Sequence, residues 1–205
     1  MHRDRLPGGN KAIMINVNTI KIHADDLETP ARFVAERIQG YINEGKQVLW
    51  LISGGSCINV AVQARKLLDG TLKPDVLTVS LVDERFGPVG HNDSNAEKLL
   101  QAGFNTDNLS FHPVLTGNTI EETATAYSRY LDHVAEKRAI VIGLFGMGAD
   151  AHTSGLLPNN HVMDSEKKVA CYTGPDFERI TTTPKYIASI DEARSEEHTS
   201  ELQSH

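Results

Sequence analysis

Cysteine is almost missing from this sequence: Cys57 and Cys171 are too far apart for a CxxC metal or redox motif and too few to staple a fold. Such usage suits a reducing compartment, so a cytoplasmic protein is expected. Long apolar runs are missing too, and no stretch approaches the roughly 20 residues that a bilayer span needs. The opening MHRDRLPGGNK leads into no apolar segment or cleavage site, so secretion is not indicated; residues 1–13 read as a frayed or misassigned start, with Met14 as an alternative. Basic clusters are lacking as well. Against 27 Asp and Glu stand 20 Lys and Arg, a net charge of -7 that offers a nucleic-acid backbone nothing to bind. Of the nine histidines none is spaced as HxH, HxxH or HxxxH, so no metal is expected. Internal repeats and low-complexity linkers are absent. What remains is an ordinary globular composition, 40% hydrophobic and 23% charged, over 205 residues, enough for one substantial domain.

Apolar runs alternate with helical periods. QVLWLI (47–52), VLTVSLV (76–82) and AIVIGLF (139–145) are short and nearly continuous, as strands covered on both faces are. Between them, residues 29–45 place Phe33, Val34, Ile38, Tyr41 and Ile42 on one helical face, and INVAVQARKLLDG closes at Gly70. Ser94 with Glu97, and Thr119 with Glu122, have capping-box spacing ahead of two further helices. KVACYT and KYIASI read as additional strands. The alternation predicts an α/β fold with a mostly parallel sheet and right-handed crossovers.

In such a sheet, ligands bind at the carboxyl ends of the strands. Three polar loops fall there: SGGS (53–56), DERFGPVGHNDSN (83–95) and GMGADAH (146–152). Each taken alone passes for an ordinary βα turn. In the first, Ser53, Gly54, Gly55 and Ser56 leave backbone N–H groups unobstructed at a helix N-terminus, which suits a phosphate, although no GxxxxGK[ST] motif is present. In the second, Arg85 can clamp a phosphate or carboxylate while Asp83 and Glu84 orient it or accept sugar hydroxyls; His91 is expected to be exposed. In the third, Gly146 and Gly148 form a turn that sets Asp150 and His152 two residues apart, an arrangement suited to general-base work near neutral pH. GMGADA matches the dinucleotide fingerprint GxGxxG/A, but the glycine and proline in HTSGLLPNN make a poor crossover helix. Ser154 lacks a GxSxG elbow, and Cys57 reads as a partly buried small residue.

Taken together and in order, these loops resemble the glucosamine/galactosamine-6-phosphate isomerase superfamily, and DER with GMGADAHTSGLLP resembles its 6-phosphogluconolactonases. The likeness runs from the first helix to RITTTP (179–184). It implies a three-layer αβα, Rossmann-like fold and hydrolysis of a phosphorylated sugar lactone without metal or other cofactor, by a monomer or homodimer. By position, His152 would activate water and Asp150 would orient the site, with Gly146 and Gly148 in the turn that faces the oxyanion. The SGGS loop, Asp83, Arg85 and Arg179 of RITTTP would hold phosphate or sugar.

Departures from the family pattern are specific. Its Asp-Gly-His reads Asp150-Ala151-His152, and SGGS continues as Cys57-Ile58 rather than Thr-Pro. The family continues beyond this chain's end, which implies a C-terminal truncation. Residues 194–205, RSEEHTSELQSH, lack periodicity and resemble a translated sequencing adapter, so the domain is expected to span 14–193. Two rival readings stand: a glucosamine-6-phosphate deaminase, whose Phe-Asn-Glu-Pro segment has no counterpart in GLLPNN, and a sugar-phosphate-binding protein without turnover.

Overall fold

The uninterrupted apolar runs become parallel strands buried on both faces. The computed structural model describes residues 26–147, 152–157 and 160–197. In it β1 (Val48–Ile52) lies between β2 (Leu77–Leu81) and β5 (Ile140–Met147), with β4 (Ser110–Phe111) outside β2 and β8 (Glu192–Glu197) outside β5. All neighbouring pairs in this sheet are parallel. The register sets Trp50 between Val79 and Ile142, and its ring, fully buried, meets Phe104 at a centroid distance of 5.9 Å. This is the α/β architecture with a mostly parallel central sheet that the alternation predicts.

The helices follow their local signals. α1 (Glu28–Asn43) buries Ala31, Val34, Ala35 and Ile38 and stops where Gly45 turns to φ +75°, with Lys46 N–H donating to the Tyr41 carbonyl. α2 (Cys57–Leu67) packs against α1 and β1. α3 (Asn95–Gln101) is capped by the Ser94 hydroxyl, which accepts from Glu97 N–H. α4 (Ile120–Glu136) starts with the complete reciprocal box between Thr119 and Glu122.

Three features depart from the sequence reading. DER is not a loop but a strand, β3 (Asp83–Arg85), in a second sheet with β7 (Glu178–Thr182) and β6 (Val169–Thr173), antiparallel in the order β3-β7-β6. KYIASI is not a strand: Pro184–Ile187 forms a short helix, α5, because the Thr183 hydroxyl accepts from Tyr186 N–H and Pro184 fits the first turn. And β8 runs past Ala193 through Glu197, paired with Ile142–Met147. It is fastened to α1, since Glu192 accepts from Arg37 and Tyr41 while the Arg194 guanidinium lies 4.6 Å over the Phe33 ring. Residues 1–13 and 198–205 lie outside the described residues. Among the described residues no helix is long and apolar enough to cross a membrane.

Candidate active site

At the carboxyl end of β1 the chain turns through Ser53–Ser56 into α2. Ser53 is buried and its N–H donates to the Leu144 carbonyl at 3.0 Å, which locks the turn to the end of β5. Gly55 has φ +68°, a conformation that disfavours any side chain. Ser56 makes no side-chain cap, so it leaves the partial positive charge of α2 uncapped at the turn.

The second element is β3 with β7, and strand alternation explains its chemistry. Asp83 and Arg85 share one face, Glu84 the other. Glu84 is fully buried against the start of α3, accepting from Arg85 N–H (2.8 Å), Ser94 Oγ (3.0 Å), Asn95 N–H (2.6 Å) and Ala96 N–H (3.1 Å). It is a brace rather than a solvated charge. On the opposite face Arg85 pairs in register with Arg179 of β7. Like charges directly opposite are unfavourable in a sheet. Here both guanidiniums flank Phe177, at 5.6 and 5.9 Å from its ring centre, and Asp176 binds Arg179. The Nε atoms of both arginines are buried and, among the described residues, have no hydrogen-bond partner.

The third element is the chain after β5. Thr153 bridges back to Met147, and Ser154 (φ 54°) and Gly155 (φ +68°) turn left-handed in succession. The Ser154 hydroxyl meets Ser53 Oγ at 3.2 Å and Thr153 Oγ1 at 3.3 Å, which joins the first loop to the third. Thr181 of β7 donates to the Ser154 carbonyl, and Tyr172 of β6 to that of Gly155. A Cβ on Gly155 would stand 3.0 Å from Asp83 Oδ2, so glycine lets the turn close over that carboxylate.

These three elements surround one cavity of about 200 Å³. Ser53, Gly54, Gly55 and Ser56, Asp83 and Arg85, Gly146, His152 and Arg179 all line it. Gly148 and Asp150 lie outside the described residues. His152 is half-buried, with the cavity before it. His91, expected to be exposed, is half-buried instead, its Nε2 placed 3.0 Å from the Arg85 carbonyl. Cys57 is buried beneath the turn.

Burial pushes the Asp83 carboxyl above its ordinary range, opposed by the charges of Arg85, Arg179 and His152. Burial also raises Glu84, opposed by its hydrogen bonds to Asn95, Ala96, Arg85 and Ser94. In both cases the folded state holds the proton more tightly than the unfolded chain, so each carboxyl costs stability as pH rises through the interval between its two pKa values.

Sequence reasoning missed Asn95, Ser154, Gly155 and Met147 as cavity lining, and Phe177 as the ring between the arginines. The signal for Asn95 was its place directly after the N-cap Ser94. For Phe177 no local signal exists, because its role depends on β3 pairing with β7.

Known proteins resemble this chain in sequence and in fold. A 6-phosphogluconolactonase of Pseudomonas aeruginosa is 31% identical over 144 residues, 69% of this chain and 59% of that protein. One from Helicobacter pylori is 29% identical over 150 residues, 70% of this chain and 64% of that protein. The chain thus spans about three fifths of the length of these curated relatives. Among solved structures, the 6-phosphogluconolactonase of Trypanosoma brucei shares the fold with a TM-score of 0.71 at 17% identity, covering 87% of this chain and 80% of that one. Residues 24–194, which include every strand end around the cavity, match the family described as glucosamine-6-phosphate isomerases/6-phosphogluconolactonase, and to that family this chain belongs.

Proposed function

We propose that this chain hydrolyses 6-phosphogluconolactone to 6-phosphogluconate, with His152 taking a proton from water as the water oxygen attacks the lactone carbonyl. Collapse of the tetrahedral intermediate breaks the ring ester bond, and the proton passes to the departing hydroxyl. The observation that carries this reading is one cavity lined at once by His152, by the Ser53–Ser56 turn and by Arg85 and Arg179. An imidazole supplies the base; a helix N-terminus and two guanidiniums with unpartnered Nε atoms supply donors for a dianion. Asp150 is proposed to orient the imidazole, and the backbone around Gly148 to donate to the oxyanion, a contribution of several kcal/mol where such donors are preorganised. The names of the relatives support the same substrate class. A cytoplasmic setting follows from that metabolic role and the scarce cysteine.

The test follows acid release from freshly prepared lactone and, in parallel, ammonia release from glucosamine 6-phosphate. Lactone hydrolysis that disappears in His152→Ala supports the proposal. Ammonia release transfers the chain to the deaminase branch of its family, and tight phosphate-ligand binding with neither product marks a binding protein.

A further inference from the structure

Beyond the base and the phosphate donors, we propose that Asn95 reads the sugar: its Oδ1 accepts a hydrogen bond from a substrate hydroxyl. The inference rests on the sugar-phosphate reading of the cavity. Asn95 is the first residue of α3 and only 1% exposed, yet it lines the cavity. The orientation of its amide is set, because Nδ2 donates to the Asp83 carbonyl at 3.0 Å and lies 3.5 Å from Asp83 Oδ2. Oδ1 is therefore the free end, buried and without a donor among the described residues. A buried amide oxygen left unpaired costs free energy that a hydrogen bond from a bound ligand recovers.

Gly54 makes this placement possible. A Cβ there would stand 2.3 Å from Oδ1, so a side chain in the turn would displace the acceptor. The cavity then divides by chemistry. Arg85 and Arg179 present donors only, suited to phosphate, whereas Asp83 and Asn95 Oδ1 present acceptors only, suited to hydroxyls. Glu84 fixes the division, since it accepts from Asn95 N–H on the face away from the cavity. A purely structural asparagine would need Nδ2 alone.

The experiment titrates the full chain with 6-phosphogluconate and with inorganic phosphate by calorimetry. Asn95→Ala is expected to lower affinity for 6-phosphogluconate about tenfold while that for phosphate stays within about twofold. Asn95→Leu, of similar volume but without either amide atom, is expected to lower the ratio in the same way, and it decides the matter should the alanine variant not fold. The proposal is overturned by an unchanged ratio in Asn95→Ala or Asn95→Leu, or by a wild-type chain that binds both probes equally. These readouts involve no turnover. A wild type that binds 6-phosphogluconate more tightly than phosphate but hydrolyses no lactone removes the proposed reaction and leaves the role of Asn95 to the ratio.

Discussion

The two sheets of this molecule follow opposite rules. In the five-stranded parallel sheet, β1 is buried along its whole length and its side chains are all apolar, so stability and strand identity come from the same residues. In the three-stranded antiparallel sheet, β3 is Asp-Glu-Arg and β7 begins Glu-Arg, with Asp83, Glu84 and Arg179 all buried. Such a strand buries charge at a cost, offset by pairing, by hydrogen bonds at Glu84 and by aromatic stacking at Phe177. The parallel sheet thus holds the fold, and the small sheet holds the charge at the edge of the cavity.

Substitutions divide the molecule along the same line. The largest effect is expected at the cavity between the sheets: His152→Ala lowers lactone hydrolysis by roughly 10²–10⁴-fold, measured as acid release, with affinity for phosphate within about twofold. A parallel loss of both would mean that the histidine supports the pocket rather than the chemistry. Next comes the parallel sheet itself, where Trp50→Ala removes a fully buried ring and destabilises the chain by about 3–5 kcal/mol in urea titrations. Arg179→Met in the small sheet reverses that profile. Stability by urea titration shifts by less than about 0.5 kcal/mol, because relief of the opposition to Arg85 offsets the lost bonds to Asp176, while phosphate affinity falls about tenfold by calorimetry. If the variant unfolds instead, the two sheets do not divide their roles.

The smallest effect lies at the outer strand of the parallel sheet, its one charged exception. Burial tends to raise the Glu192 carboxyl, but hydrogen bonds from Arg37, Tyr41 and Arg194 outweigh it and bring the group down to about 2. A depressed carboxyl stabilises the fold above its unfolded value near 4.5, and that stability is lost as pH falls toward 2. Glu192→Gln should therefore cost about 1 kcal/mol at neutral pH, the ion pair being partly screened. It should also flatten the decline of stability between those pH values, read by denaturation at a series of pH settings.

Legibility from sequence followed the range of the forces involved. The apolar strands β1, β2 and β5 and the caps at Ser94 and Thr119 were readable because burial on both faces and capping use residues adjacent in the chain. KYIASI was misread since its apolar spacing suits a strand, while Thr183 and Pro184 start a helix just before it. The polar segment after Ala193 lacks an apolar period, yet backbone pairing with β5 does not depend on apolar side chains.

The amino-acid order alone set out a parallel α/β core and three polar segments following its strands, since periodicity and turn chemistry are local properties. Only the tertiary structure decided that DER is a strand, that Arg85 faces Arg179 across it, and that Asn95 reaches Gly54. Those facts arise from pairing between segments about 95 and 40 residues apart, where register and close approach, not composition, select the neighbour.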